Sequence, residues 1–256
     1  MTYLTFLLVF LLPPIVVLAA MQRRPLAGIG GARGWYTLPL IGAIAFSYTT
    51  PWDNYLVFRG VWGYGPDRVL GIIGYVPYEE YAFFLLQPLL TGLFFYRLLA
   101  QKPGSVAAPY RKTMLTGSLV YLFCTLLGVG LLISGWEHGL YLGLILAWAS
   151  PVLLAMWLYA GPFFIRYRHT FFLGVVVPTL YLWIIDRVAI GLGIWDIANQ
   201  FSLDVDPLGL PVEEAVFFLF TNLLIVQGTM LFLFGDKIAA HRRQQRATQA
   251  RLVRSA

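Results

Sequence analysis

The sequence predicts an all-α integral membrane protein, with seven transmembrane helices in a parallel internal repeat of three helices, a linker helix and three more. Hydrophobic residues make up 59% of the 256-residue chain and charged residues only 12%, a composition of the membrane class. Continuous apolar stretches near the roughly 20 residues that cross a bilayer recur seven times. The two halves also repeat the same motifs at a nearly constant offset.

The seven stretches run from Tyr3 to Met21, Trp35 to Thr50, Pro77 to Leu99, Thr113 to Ser134, Leu140 to Tyr159, Thr170 to Leu192 and Pro211 to Phe234. Each is continuous in hydrophobicity and lacks the alternation of a barrel strand, so each is expected to be a helix. The first has no basic region before it and no small-residue cleavage site after it, so it is retained as a span rather than a signal peptide. Cys124 is the only cysteine and can form no intramolecular disulfide. His138, His169 and His241 show no ligand spacing, and no metal site is expected.

Basic residues gather in segment 22–34 (Arg23, Arg24, Arg33), around Lys102 to Lys112, at Arg166 and Arg168, and after Asp236. With seven spans these segments share one side, leaving Arg59, Arg68 and Arg187 for the other. The positive-inside rule makes the basic side cytoplasmic, in a multi-pass cell-membrane protein with its N-terminus outside and C-terminus inside. Eleven of the twelve carboxylates then lie at or near the outer face, and Asp236 lies inside. The net charge of +6 belongs to the cytoplasmic loops and tail, where anionic lipid accounts for it. The lipid bilayer is therefore an expected partner and nucleic acid is not.

From Asp53 the chain reads DNYLVFRGVW, and from Asp186 it reads DRVAIGLGIW, with Gly60 and Gly193, then Trp62 and Trp195, at matching places. Further on come PYEEYAFF from Pro77 and PVEEAVFF from Pro211. The offset is 133 residues at the first motif and 134 at the second. Applied to the first span it lands on the fifth, which makes residues 1–100 one three-helix unit, 101–137 a linker helix, 138–235 the second unit and 236–256 a basic cytoplasmic tail. An odd linker restores the starting direction, so the units are parallel about an axis along the membrane normal. Both acidic motifs then converge on the outer face.

Proline at the start of a helix and carboxylates in its first turn are ordinary helix-start chemistry. Each copy here also carries an upstream aspartate (Asp53, Asp186), a tryptophan and a Phe-Phe pair (Phe83 and Phe84, Phe217 and Phe218), which a cap does not require. Residues three and four apart share a helix face, so Glu79 and Glu80 stand above Phe83 and Phe84, as Glu213 and Glu214 stand above Phe217 and Phe218. Paired carboxyls above aromatic rings suit acid–base chemistry, one group giving a proton and another taking it. Asp53 and Asp186, near helix ends, are expected to face the bundle interior, although an ion pair with Arg187 competes for Asp186. Most of the outer tyrosines and tryptophans fit an interfacial belt. Trp62 and Trp195, repeated in both units, are the candidates for lining a pocket that stabilises a cation. Asp67 and Arg68, unrepeated, read as a salt bridge, and Asp204 and Asp206 as solvated loop residues.

The stretch from Thr50 to Glu80, TPWDNYLVFRGVWGYGPDRVLGIIGYVPYEE, and LPVEEAVFF from Leu210 resemble the membrane-embedded, flavin-independent lycopene cyclase domains, paired as small subunits in some bacteria and fused in archaea, other bacteria and fungi. The likeness extends to about Gly235, and the second unit departs from it in having Arg187 after its aspartate. It implies acid-catalysed, non-redox cyclisation of the ends of lycopene to β-ionone rings, through γ-carotene to β-carotene, with no cofactor. The sequence offers no GxGxxG after a strand, in keeping with a flavin-free reaction. The resemblance implies catalytic roles for Glu79 or Glu80, Asp53, and Glu213 or Glu214, with Asp186 their counterpart. It implies substrate contacts from Trp52, Asn54, Trp62, Pro77, Phe83, Phe84, Trp195, Pro211, Phe217 and Phe218, with lycopene and other carotenoids as ligands.

Within enzymes, the alternatives are a cyclase for C50 carotenoids or one forming ε or γ rings. Outside them, a small-solute transporter with parallel repeats and a non-catalytic carotenoid-binding protein compete. The transporter is disfavoured because the ionisable residues lie at one face rather than the midplane. A metal-dependent prenyl transferase lacks its Asp-rich ligand cluster.

Overall fold

The computed structural model describes residues 1–22, 32–101 and 110–254. Seven long helices make up most of them: α1 over Tyr3–Ala20, α2 over Arg33–Phe58, α3 over Tyr78–Gln101, α4 over Tyr110–Ser134, α5 over Leu140–Arg166, α6 over Arg168–Gly191 and α7 over Val212–Arg254. Six of these carry an apolar run long enough to cross a membrane, and the chain is a multi-pass membrane protein. The exception is α2, whose 26 residues include Ser47, Thr49, Thr50, Asp53 and Asn54. The expected second span is thus part of a longer, more polar helix that runs through Pro51 to Phe58. The last helix likewise continues past Phe234 through most of the basic tail. Arg23, Arg24 and Lys102, part of the orientation argument, lie outside the described residues.

Prolines inside the helices are tolerated where other groups take up the carbonyls they orphan. In α1, Pro13 and Pro14 follow a π-helical turn at Leu7–Leu11. Pro14 has no N–H for the carbonyl of Phe10, and the Tyr181 hydroxyl of α6 donates to it instead.

The helix pairings recur between the two halves. α1 packs on α3 as α5 packs on α7; α2 packs on α3 as α6 packs on α7; and α3 meets α6 as α7 meets α2. α3 and α7 also touch each other, while α4 lies mainly along α5. Polar pairs tie the centre together. Gln87 donates to Thr221 at 2.8 Å, Thr91 to Asn222 at 2.7 Å and Asn222 to Thr179 at 2.9 Å, all buried. Such bonds hold membrane helices together where the hydrophobic effect between them is weak.

Short strands organise the loops beyond the ends of α2 and α6. β1 at Trp62–Tyr64 pairs antiparallel with β4 at Trp195–Ile197, and β2 at Ile72–Ile73 pairs with β3 at Val76–Pro77. In the first pair Gly63 stands opposite Asp196, its own counterpart at the 133-residue offset, with Trp62 against Ile197 and Tyr64 against Trp195 on either side.

The backbone at Gly60 and Gly193, with φ of 73° and 62°, is left-handed and suits glycine. Both end the helices that carry the aspartates and turn the chain into the paired strands. The N-terminus joins this layer, with Tyr3 N–H donating to the Arg68 carbonyl at 2.8 Å and Arg68 donating to the Met1 carbonyl at 3.1 Å. Arg68 therefore does not form the ion pair with Asp67 that the sequence suggests. At the opposite end of the bundle Arg33 pairs with Asp236 at 2.6 Å.

Candidate active site

The N-terminal ends of α1, α3, α5 and α7 meet the C-terminal ends of α2 and α6 beneath the paired strands. Six carboxyls gather there and all are buried: Asp53 and Glu213 at 0% exposed, Asp186 at 1%, Glu79 and Glu214 at 2% and Glu80 at 5%. Among the described residues no cation pairs with any of them. Carboxyls so removed from water require hydrogen-bond partners, and those partners divide the six into two kinds.

Glu79 and Glu213 hold the loops. Glu79 accepts from the Leu70 amide at 2.9 Å, and Glu213 from the Leu203 amide at 2.7 Å. Each leaves one oxygen buried and unpartnered. One position on, Glu80 and Glu214 turn inward. Glu80 accepts from Tyr3 at 2.8 Å and Tyr64 at 3.3 Å, and Glu214 accepts from Tyr141 at 2.5 Å. The sequence left each pair of glutamates undivided; their opposite directions from the first turn of a helix separate them.

Glu80, Glu214 and Asp186 line one small cavity of about 20 Å3 at the seam of the two halves, with Tyr3, Tyr64, Trp62, Trp195, Phe83, Phe217 and Phe218. Asp186 accepts from the indole of Trp195 at 3.0 Å. Arg187 turns away to the Leu208 carbonyl at 2.8 Å, so the competing ion pair with Asp186 does not form. Asp53 makes no hydrogen bond through either oxygen. Tyr64, which lines the cavity, lies in the loop outside the spans. Burial first, then the negative charges of Glu80 and Asp53, hold that hydroxyl well above the ordinary tyrosine range, so it remains a donor.

An aromatic wall bounds the cavity on one side. Trp52 lies flat between Trp148, 4.8 Å away at 18°, and Phe217, 5.7 Å away at 3°. Trp62 meets the edges of Trp52, Tyr141 and Phe217 at 5.8 to 6.4 Å. Rings presented this way offer electron-rich faces to a cation. Phe84 lines a larger apolar groove on the flank of the bundle instead.

Four expected substrate contacts line neither cavity: Trp52, held between Trp148 and Phe217 in the aromatic wall, and Asn54, Pro77 and Pro211. Asn54 is committed to the first loop, accepting from the Tyr75 amide at 3.0 Å and donating to the Thr50 carbonyl at 2.9 Å and Tyr81 at 3.1 Å. Pro77 ends the β2–β3 hairpin, and Pro211 immediately precedes α7. Asp204 and Asp206 are exposed, as the loop composition suggests. Sequence reasoning missed Tyr3 and Tyr141 and assigned Tyr64 to the interfacial belt. The signal was present, for YLTFLLVF from Tyr3 and YLGLILAW from Tyr141 superpose tyrosine on tyrosine at an offset of 138 residues.

No family model matches the chain, and no solved structure matches it. It is 40% identical over 238 residues to lycopene beta-cyclases from two strains of Halobacterium salinarum, covering 90% of this chain and 95% of theirs. It is 38% identical over 211 residues to the bifunctional lycopene cyclase/phytoene synthase of Colletotrichum graminicola, covering 78% of this chain and 35% of that protein. The corresponding protein of Neurospora crassa is 37% identical over 209 residues, covering 74% of this chain and 33% of its own length. The fungal matches therefore occupy about a third of longer proteins, whereas the archaeal ones run nearly end to end. On that near-full-length identity, the chain belongs to the lycopene beta-cyclase family.

Proposed function

We propose that this chain is a lycopene β-cyclase, an intramolecular lyase or isomerase that closes the ends of lycopene into β rings, giving γ-carotene and then β-carotene. The observation that carries the reading is one apolar chamber, shared by two related halves, in which buried carboxyls face aromatic rings.

In this reading a protonated carboxyl adds its proton to C2 of the terminal double bond, leaving a cation at C1. The C5=C6 bond attacks C1 and moves the cation to C5. A carboxylate then removes the proton from C6, forming the ring double bond. Atoms and electrons balance without any redox partner, and the reaction needs no cofactor. Glu80 and Glu214, the glutamates turned inward, are the acid and base candidates, with Asp53 and Asp186 beside them. Several carboxyls gathered in one apolar space, with no cation paired to them among the described residues, suit a site that must store a proton. Trp62, Trp195, Phe83, Phe217 and Phe218 stabilise the cation and keep out water, which would otherwise capture it. Glu79 and Glu213 hold the loops that cover the chamber.

The architecture proposed for this activity is the parallel repeat: residues 1–100 and 138–235 as the two units, 101–137 as the linker and 236–256 as a basic tail. The recurring helix pairings and the Gly63–Asp196 pairing support it. α2 is counted as the seventh span because its 26 residues reach about 39 Å. The charge distribution supports a cell-membrane location with the N-terminus outside and the C-terminus in the cytoplasm. Expression in lycopene-accumulating cells, followed by pigment chromatography, tests the reading. Conversion of lycopene to γ- and β-carotene is expected; an unchanged lycopene peak beside well-expressed protein overturns it, and ε or γ rings correct the ring type.

A further inference from the structure

We propose that the conjugated chain of the substrate lies in the apolar groove on the flank of the bundle, and that Phe217 is the ring it displaces to bring its end to the carboxyls. This inference rests on the cyclase reading and adds where the long part of the molecule goes. The groove has a volume of about 500 Å3 and is walled by α2, α3, α5 and α7. Its lining on α7 runs from Phe217 to Gly235, a length of roughly 27 Å at the rise of an α-helix, close to the ~30 Å of a hydrocarbon core. A conjugated polyene is a stiff rod that cannot coil into a compact pocket, so a narrow slot of membrane length is the shape it requires.

The slot is open sideways. Ile44, Tyr48 and Tyr159 on its lining are 45%, 41% and 44% exposed, on a flank that faces lipid. A hydrocarbon can therefore enter without crossing water. Inside, Gln87 donates to the Thr221 hydroxyl at 2.8 Å, and that hydroxyl donates to the Phe217 carbonyl at 2.9 Å, so both donors meet protein rather than the polyene.

Phe217 lines both the groove and the carboxyl cavity. Packed flat on Trp52, it forms the wall between them. The cavity behind that wall, at about 20 Å3, holds about one water and not a ring of six carbons. Rotation of Phe217 away from Trp52 joins the two spaces into one, with the acid at the end of the slot. One slot leading to one chamber also means that a molecule with two ends reacts at one end, leaves, and returns reversed.

Plugging the slot tests this. At Gly228 an added Cβ meets the Cδ1 of Ile41 on α2 at 2.9 Å, so Gly228→Phe fills the groove about 16 Å below Phe217. Met156→Trp fills it independently from α5, about 12 Å below Trp148. Each variant, purified and reconstituted in lipid, is given lycopene or an apocarotenoid of half the length carrying the same reacting end. Expected is a loss of lycopene conversion of about tenfold or more, with conversion of the short substrate within about twofold of the unaltered protein. Such selectivity in either variant supports the groove as the polyene site. Unchanged lycopene conversion, or equal loss on both substrates in both variants, overturns it and leaves a groove for lipid acyl chains. An unaltered protein that converts neither substrate refutes the cyclase reading, and this inference with it.

Discussion

Tyr141 donates its hydroxyl to Glu214 at 2.5 Å, and in the other half Tyr3 does the same for Glu80 at 2.8 Å. A bond between the start of one helix and the first turn of another recurs because α5 stands to α7 as α1 stands to α3. The bond orients a carboxyl toward the seam, and it is what distinguishes the inward glutamate of each pair.

The two glutamates of a pair therefore differ in what their loss does. Glu80→Gln removes a proposed proton-transfer group and is expected to lower cyclisation by roughly 10²-fold or more. Glu79→Gln weakens the bond to the Leu70 amide and costs stability of about 1 kcal/mol with smaller loss of activity. Pigment ratios together with thermal unfolding in detergent separate the two effects, and equal activities in the two variants would contradict the division.

Tyr3→Phe leaves Glu80 one donor, Tyr64, whereas Tyr141→Phe removes the only donor that reaches Glu214 among the described residues. A hydrogen bond to a carboxylate is worth about 1.5–3 kcal/mol, so the second variant is expected to lose about tenfold or more and the first less. Initial rates in reconstituted vesicles rank them.

Tyr64 gives a pH dependence with a definite sign. Its hydroxyl is held above the ordinary range by burial and by Glu80 and Asp53, so the folded protein keeps this proton more tightly than the unfolded chain does. The resulting stability is fully present below the unfolded tyrosine value of about 10 and is lost as pH rises through the folded value. Alkaline unfolding is expected to begin above roughly pH 10, and Tyr64→Phe to flatten that limb. Denaturation midpoints between neutral and strongly alkaline buffer measure it.

Two glycines of the loop layer differ in cost. An alanine Cβ at Gly60 meets nothing within 4 Å, so its penalty is the left-handed backbone alone, about 1 kcal/mol. At Gly65 the Cβ falls 2.2 Å from the Gly193 carbonyl oxygen, and the strand layer must separate to admit it. Gly60→Ala is expected to express as folded protein with a slightly lower Tm, and Gly65→Ala to yield little; fluorescence-detected size exclusion compares them.

Asn222 bridges Thr91 and Thr179, joining α3, α7 and α6. Asn222→Ala leaves both hydroxyls without this partner and is expected to cost about 1 kcal/mol, the modest scale of such bonds in membranes. Unfolding of the detergent-solubilised protein provides the measurement.

Apolar run length, the position of each basic cluster and the doubled Asp-Gly-Trp and Pro-x-Glu-Glu motifs made the helical membrane fold legible in one dimension and marked out the acidic residues that the fold gathers and buries at one end of the bundle. These features are local, or repeat at a fixed spacing, and need no knowledge of neighbours. The polar stretch of α2 blurred the second span because lipid is only one of its surroundings: part of its surface faces α3 and α7. Asp67 and Arg68 are adjacent, yet the loop carries the arginine to Met1.

What only the tertiary structure decided was direction. Glu79 and Glu80 are identical in type and adjacent, and about 100° of helical turn sends one to a loop amide and the other to a chamber built from both halves. Tyr3 and Tyr141 became partners of those carboxyls because chain segments 77 and 73 residues apart meet at one end of the bundle. Periodicity records which residues a helix must bury, and contacts between helices record what each meets there.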